Sequence, residues 1–305
     1  MTASTERTDM GNVDGSGPTP FAAAKPRRQP ARVRRPMSRG RALNYTLVAV
    51  VMVAYVFPLL FLLNTALKSD AAFYADPMGI VNDPQFGNFP EAWQQGNFGA
   101  YFLNSIAYTS SAALLGTAIS ILIGFPVARG YLRHPKLWSI FLVVMLFLPN
   151  AIITQFQLLL RINLYDTALG YILIMAAGVG IGPLIIRAHS MSLPKELDEA
   201  ATLDGVGYFR FLVTFVVPLS RPAIATVFIL QAIGVWNELI LATILLPDPA
   251  KAPLTLGLYA FQGTFTSQWG LLAAATLIVA APLLVGYVFL QKYLMGGALG
   301  GALKG

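Results

Sequence analysis

Six long apolar segments constrain this chain more than any other feature of its sequence. They span residues 43–67, 105–127, 138–159, 168–188, 222–246 and 269–291. A helix of about 20 residues crosses the hydrocarbon core of a bilayer. A composition of 56% hydrophobic and 11% charged residues is far from that of a soluble domain. The sequence therefore predicts an all-α polytopic membrane protein with six transmembrane helices in residues 43–292. Buried helices of a soluble protein are the alternative, disfavoured because the six segments contain a single acidic residue, Glu238.

The basic residues predict the orientation of these spans. Of the 21 lysines and arginines, all but Lys68, Arg161 and Lys251 fall on one side of the six-span arrangement. The positive-inside rule makes that side cytoplasmic, together with both termini and the loop between the fourth and fifth spans. We expect residues 1–42 to form a disordered basic tail that meets anionic lipid headgroups, and residues 293–305 to form a Gly-rich cytoplasmic tail. The net charge of +7 is therefore mostly a topology signal, with no nucleic-acid partner implied.

The loop between the fourth and fifth spans has the pattern of a helix, a turn and a second helix. Residues 193–203 are predicted to be helical, with Ser192 as N-cap and acidic residues in the N-terminal half, where the helix dipole favours them. Asp204-Gly205 then ends the helix, and a short helix follows from Tyr208. The small side chains of Ala200 and Ala201 predict a smooth surface that fits a groove on another protein.

These residues resemble a known signature. The order Glu199, Ala200, Ala201, Gly205 and Pro218 is similar to the coupling-loop motif in permease subunits of binding-protein-dependent ABC importers. The chain departs from the usual Ile and Leu before the proline, with Phe215 and Val217. Three further stretches are closest to the second permease of carbohydrate importers: Lys68-Ser69, Trp236-Asn237-Glu238 and the C-terminal segment 300–305. We call residues 193–218 the coupling loop.

The resemblance implies a function and a set of partners. It implies a permease in a prokaryotic cell membrane that works with a second permease, two cytoplasmic ATPase subunits and an extracytoplasmic solute-binding protein, and that passes a sugar or oligosaccharide. It assigns the ATPase contact to the coupling loop and to the C-terminal tail; the residues concerned are Glu199, Ala200, Ala201, Asp204, Gly205, Pro218, Leu303 and Lys304. The chain has no phosphate-binding loop motif, so ATP and Mg belong to the partner ATPase and no cofactor is expected here.

Polar residues inside the apolar segments are the candidates for a translocation path. Gln231 and Glu238 share one helix face in the fifth span, with Gly234 between them. The third span carries a second stripe, formed by Asn150, Thr154 and Gln157. Such groups either line a path for a hydroxylated solute or hold helices together. The cost of an acid in the bilayer favours the path for Glu238, whereas both interpretations stay open for the third-span stripe.

Other features narrow the function further. The chain has no cysteine and only two histidines, which excludes thiol chemistry and leaves no pattern for a metal site. No convergent group of catalytic residues indicates a membrane enzyme. An importer of another polar solute, such as a glycerol phosphodiester or a polyol, and a self-contained secondary transporter stay as alternatives.

Gly178, Gly182 and Pro183 predict a closely packed, kinked fourth span. The aromatic-rich 68–103 loop is either a docking surface for the binding protein or an interfacial cap.

Overall fold

The structure, a computed structural model, describes residues 39–263 and 267–302, with side chains for residues 44–263 and 267–289. Most of the predicted N-terminal tail, together with Leu303 and Lys304, lies outside the described residues. Among the described residues, the chain divides into two units after Met52. The described residues form helices and turns without a β-strand, apart from one isolated bridge between Gln262 and Ser267. The all-α class is confirmed.

Seven helices occupy the first part of the described chain. They are α1 (Arg39–Ala66), α2 (Asp70–Ala75), α3 (Asn88–Gln95), α4 (Phe98–Arg129), α5 (Pro135–Met145), α6 (Ile152–Arg161) and α7 (Ala168–Ala177). The longest of them, α4, ends at Gly130, whose positive φ of 71° suits a residue without a Cβ. The short helices α2 and α3 fold the 68–103 loop.

The second part contains the coupling loop and two long helices. Its helices are α8 (Gly182–Ser192), α9 (Glu196–Leu203), α10 (Tyr208–Phe211), α11 (Val217–Leu219), α12 (Arg221–Trp236), α13 (Ile240–Leu245) and α14 (Trp269–Ala302). A π-helical turn, Leu212–Val216, joins α10 to α11, and 3₁₀ turns occur at Pro249–Lys251 and Leu254–Phe261. The helix α14 continues through most of the segment that we predict as a separate tail from residue 293.

Three to five of the described helical segments can cross a membrane by length and composition. Three are single helices: Asn44–Ala66, Phe98–Arg129 and Trp269–Phe289. Two are bent pairs: Ala168–Ala177 with Gly182–Ser192, at 49°, and Tyr208–Leu219 with Arg221–Trp236, at 85°. The predicted third span does not form one helix, because residues 146–151 separate α5 from α6. Pro149 explains this break, since it lacks an N–H donor and disfavours a helical conformation at the residue before it.

The fourth span is kinked, as predicted, but not on a continuous glycine face. The helix α7 ends at Ala177, Gly180 has a positive φ of 48°, and α8 restarts at Gly182 with Pro183 in its first turn. A Cβ added to Gly182 would collide with the Ser120 hydroxyl oxygen, so this glycine allows α8 to approach α4 closely. Gly178 has no such close neighbour, because the break removes it from the helix.

The helix α4 lies at the centre of the packing. It contacts α7, α8 and α12 along its length, and half of its apolar stretch is buried. Toward its end, Phe125 is fully buried in a cluster with Ala201, Phe211, Leu212 and Val216 of the coupling loop. Phe98, at the opposite end, packs with Phe261 and other residues near the start of α14. The two ends of α4 therefore position two different parts of the chain.

Candidate functional site: the coupling loop and the inner cavity

The first helix of the coupling loop starts later than predicted. The helix α9 begins at Glu196, and the Ser192 hydroxyl donates to the His189 carbonyl, 2.7 Å away, at the end of α8. Ser192 as an N-cap is therefore wrong, because its side chain bonds backward to α8. The acidic residues Glu196, Asp198 and Glu199 do occupy the first turn of α9, where they complement the helix dipole.

The end of α9 is a Schellman cap. The N–H of Val206 donates to the Ala201 carbonyl at 2.9 Å, and the N–H of Gly205 donates to the Thr202 carbonyl at 3.1 Å. Gly205 has a φ of 68°, in the left-handed region that this cap requires. The turn predicted at Asp204-Gly205 is present, and Gly205 supplies its conformation.

The two adjacent alanines of the motif have different environments. Ala200 is exposed, whereas Ala201 is only 8% exposed and packs against Phe125 and Phe211. The predicted docking surface that includes Ala201 is therefore wrong, because one turn of helix places this residue beside Leu197, facing α4. The exposed face of α9 carries instead Glu196, Glu199, Ala200 and Leu203, with Leu203 88% exposed.

The other residues assigned to the loop surface are accessible. Glu199, Asp204, Gly205 and Pro218 are all exposed. Phe209, beyond the turn, is 71% exposed beside Tyr208. Exposed apolar side chains grouped on one surface indicate a protein contact. The loop thus presents both apolar and charged side chains on the side away from α4.

An ion pair fixes the coupling loop to the end of α4. Arg129, the last residue of α4, has a side chain that is 4% exposed and places its Nη2 atom 2.9 Å from the Oδ2 atom of Asp198. The same guanidinium donates to the carbonyls of Leu193 (3.0 Å) and Pro194 (3.2 Å). One side chain therefore contacts both the end of α8 and the first turn of α9.

Tyr131 completes this attachment. Its hydroxyl donates to the Oδ1 atom of Asp198, and its ring packs edge-on against Phe125. Burial, and then the hydrogen bond to Asp198, raise the pKa of Tyr131 to about 12. The hydroxyl therefore stays protonated and keeps donating at neutral pH.

A cavity of about 510 Å³ lies among the described residues. Residues from α5 to α8, α12 and α13 line it, and its polar side chains are Asn150, Gln155, Gln231 and Glu238. The glycines 178, 180 and 182 line it through their main chain. This volume falls within the range of small-molecule sites.

Three of the five predicted path residues line this cavity. Thr154 and Gln157 do not; they are exposed on another face of α6. Their stripe with Asn150 is wrong, because Asn150 lies in the non-helical break before α6 and helical spacing does not apply to it. Gln155, which the stripe omits, takes the inward position instead.

Gln231 and Glu238 also stabilise two helix breaks that border the cavity. The Gln231 amide donates to the carbonyls of Met175 (2.8 Å) and Gly178 (3.3 Å), where α7 ends. Glu238 lies between α12 and α13, and its Oε1 atom accepts the Leu241 N–H at 2.9 Å. Both side chains thus satisfy backbone groups that the breaks leave free. Gln231 and Glu238 therefore face the cavity from fixed positions.

The comparisons with known proteins agree with this architecture. Residues 120–295 match the family model described as "Binding-protein-dependent transport system inner membrane component". The chain belongs to this family. It is accordingly the membrane component of a transport system and not an enzyme, and the family name places such components in systems that depend on a separate binding protein.

Individual relatives of this inner membrane component cover most of its length. It is 31% identical over 265 residues to the melibiose/raffinose/stachyose import permease protein MelC of Bacillus subtilis, covering 85% of this chain and 95% of that protein. It is 28% identical to the diacetylchitobiose uptake system permease protein NgcG of Streptomyces coelicolor, covering 87% and 90%. A solved bacterial ABC transporter involved in the import of the acidic polysaccharide alginate shares its fold, with a TM-score of 0.72 at 20% identity over 85% of this chain and 99% of that one.

Two features of this inner membrane component are absent from the sequence prediction. The first is the Arg129–Asp198 pair, which joins residues far apart in sequence with no motif linking them. The second is Gln155 in the cavity wall, for which the only available signal is a polar residue in an apolar segment. Among the described residues, no group of three histidine or acidic side chains could hold a metal ion.

Proposed function

We propose that this chain is the permease subunit of an ATP-driven ABC importer and forms, with a second permease, the path for a sugar or oligosaccharide. The cavity is the observation that carries this proposal. Non-helical backbone at membrane depth is tolerated only where protein covers it or where it lines a water-filled cavity. Here the broken helices α7–α8 and α12–α13 both contribute to the wall. The wall offers amide, carboxylate and carbonyl groups that can bind the hydroxyls of a sugar.

The relatives support the same class of substrate. MelC is named for melibiose, raffinose and stachyose, and NgcG for diacetylchitobiose. The ionisable residue in the described cavity wall is an acid, Glu238. By charge alone, a carboxyl group in the wall favours a neutral solute over a glycerol phosphodiester. A neutral oligosaccharide therefore fits this wall best.

We propose six spans in a prokaryotic cell membrane, with both termini and the coupling loop in the cytoplasm. Three of the spans correspond to the single helices, a fourth to the bent pair α7–α8, and a fifth to α12 and α13, since the other half of the second bent pair belongs to the coupling loop. The sixth would consist of α5 and α6, interrupted at Pro149 in the same way as the bent pairs. The distribution of lysine and arginine supports this orientation. This orientation determines which parts of the chain contact lipid and which contact water on each side of the membrane.

The proposed mechanism is alternating access. A binding protein on the outer side delivers the solute, and two cytoplasmic ATPase subunits bind ATP and Mg. Closure of the ATPase pair moves the coupling loop, whose exposed residues Ala200, Leu203 and Phe209 occupy an ATPase groove. The attachment of the loop through Arg129 then tilts the spans and switches the cavity from inward to outward access.

Reconstitution in liposomes tests the proposal. The chain would be co-expressed with a second permease, an ATPase and a binding protein, and uptake of radiolabelled raffinose and diacetylchitobiose would be measured with ATP or with a non-hydrolysable analogue. We expect uptake of a sugar that requires ATP hydrolysis and all subunits. Uptake by this chain alone, without ATPase, would contradict the proposal and favour a secondary transporter.

A further inference from the structure

The helix α4 is unbroken over its whole length, unlike the segments that adjoin the coupling loop in sequence. It has 32 residues and is about 48 Å long at 1.5 Å per residue. The segment before the loop is bent by 49° between α7 and α8, and the segment after it by 85° at the start of α12. The helix α4 is thus the one element in contact with the coupling loop that continues from it to the other end of the described bundle without a bend of this size.

The inner end of α4 is joined to the coupling loop at two points. The first is the guanidinium of Arg129, which contacts Asp198, Leu193 and Pro194. The second is Phe125, which is fully buried against Ala201. The two contacts lie one turn apart on both helices, so α9 cannot rotate about either of them without moving α4.

The outer end of α4 is joined in the same manner to the 246–263 loop. The Asn104 amide donates to the carbonyls of Ala250 and Ala252, each at 3.0 Å. The Tyr108 hydroxyl donates to the Lys251 carbonyl at 2.9 Å, and the Leu254 N–H donates to the Ser105 hydroxyl oxygen at 2.7 Å. Three side chains of α4 thus hold consecutive carbonyls and an amide of this loop.

The 246–263 loop is itself braced. The Lys251 ammonium lies 2.8 Å from Asp166 and 3.1 Å from Asp248. The Asp248 carboxylate also accepts the Ala250 N–H at 2.9 Å. These contacts hold the loop in one shape around Lys251, next to its hydrogen bonds from α4, and tie it to the segment between α6 and α7.

We infer that α4 is the mechanical link that carries movement of the coupling loop to the 246–263 loop on the opposite side of the membrane, with Arg129 as the positioning residue at its inner end. This inference rests on the proposed function of the coupling loop. It assigns the transmission to a helix outside the sequence motif. It also requires that cutting either end of α4 uncouples the two sides while the ATPase stays bound.

Site-directed spin labelling tests this link directly, because the natural chain contains no cysteine. A cysteine replacing Tyr259, which is 45% exposed, reports on the 246–263 loop, and one replacing the exposed Lys195 reports on the coupling loop. The chain is labelled and assembled in liposomes with its second permease and ATPase. The change in label mobility on ATP addition is measured at each position.

Two sets of variants cut the link. Arg129→Gln with Phe125→Leu removes the ion pair and weakens the apolar contact of the inner joint, and its control is Arg133→Gln, which removes the same charge from an exposed position nearby. The combined variant Asn104→Ala with Tyr108→Phe removes the outer joint. Its control is Ser110→Ala, whose hydroxyl bonds within α4 to the Ile106 carbonyl.

We expect the ATP response at position 259 to fall about tenfold in both link variants, within the usual range of coupling between sites. The response at position 195 and the amount of copurified ATPase should stay at the wild-type level, and both controls should behave as wild type. An unchanged response at 259 in the outer variant would overturn the inference. Loss of the ATPase from the inner variant would also overturn it, since the inner joint would then belong to the docking surface. Absence of ATPase from the wild-type complex would instead contradict the proposed function.

Discussion

Replacement of Gly205 by valine should uncouple transport through the backbone alone. At a φ of 68° an L-residue costs roughly 1–2 kcal/mol, and a β-branched side chain lies at the upper end of that range. The alternative, unwinding of the cap, gives up the two hydrogen bonds of Gly205 and Val206, at about 1 kcal/mol each. Keeping the strained conformation and unwinding the cap therefore each cost about 2 kcal/mol. A strain of this size lowers the population of the native loop relative to its unwound form about 30-fold.

The structure supplies a control for this substitution. A Cβ at Gly205 meets nothing within 4 Å, so the expected loss is conformational and not a clash. Gly207 has equally open surroundings but a φ of −65°, which valine accepts. We expect Gly205→Val to reduce ATPase copurification and ATP-dependent uptake in liposomes, Gly205→Asn to retain most of both, and Gly207→Val to match wild type. Equal behaviour of the two valine variants would refute the reasoning from backbone conformation.

Three further predictions concern Glu238, Asp248 and the C-terminal tail. Glu238→Gln should keep uptake, because an amide oxygen can still accept the Leu241 N–H. Glu238→Leu removes this hydrogen bond, which destabilises the start of α13 by about 1 kcal/mol, and it should impair uptake at every solute concentration. The Ala250 N–H and the Lys251 ammonium lower the pKa of Asp248. The Asp248 carboxylate therefore stabilises the loop fully above the ordinary Asp pKa, and this stabilisation is lost as the pH falls through the lowered pKa. Hydrogen exchange at Ala250 should show this pH-dependent protection, and Asp248→Asn should lack it. A cysteine at Leu303 should crosslink to the ATPase in an assembled complex; failure to do so would remove the C-terminal tail from the proposed contact.

Local sequence signals predicted the turns of the coupling loop well. Asp204-Gly205 combines a residue that ends helices with the one that accepts a positive φ, and this information lies within two adjacent positions. The orientation of Ala201 was equally local, because Leu197 and Ala201 share a face at a spacing of four residues. The prediction missed it by treating Ala200 and Ala201 as one surface.

Tertiary contacts set the features that the sequence did not reveal. No local pattern joins Arg129 to Asp198, since their contact depends on the close approach of α8 to α4. The break at residues 237–239 likewise has no proline or glycine to announce it, and Glu238 supports it only through Leu241. An apolar segment predicts that a chain enters the bilayer, but its length does not tell whether the helix stays continuous there.

The glycine-lined break between α7 and α8 has a consequence for how this protein should be studied. Where Gly178, Gly180 and Gly182 form the cavity wall, the groups presented to a solute are peptide carbonyls and amides. An alanine scan leaves these groups in place and reports only steric or conformational changes at such positions. Measured sensitivity would therefore concentrate on Gln231, which supports the break, and a mutational map of this permease would under-represent the main-chain part of the proposed path.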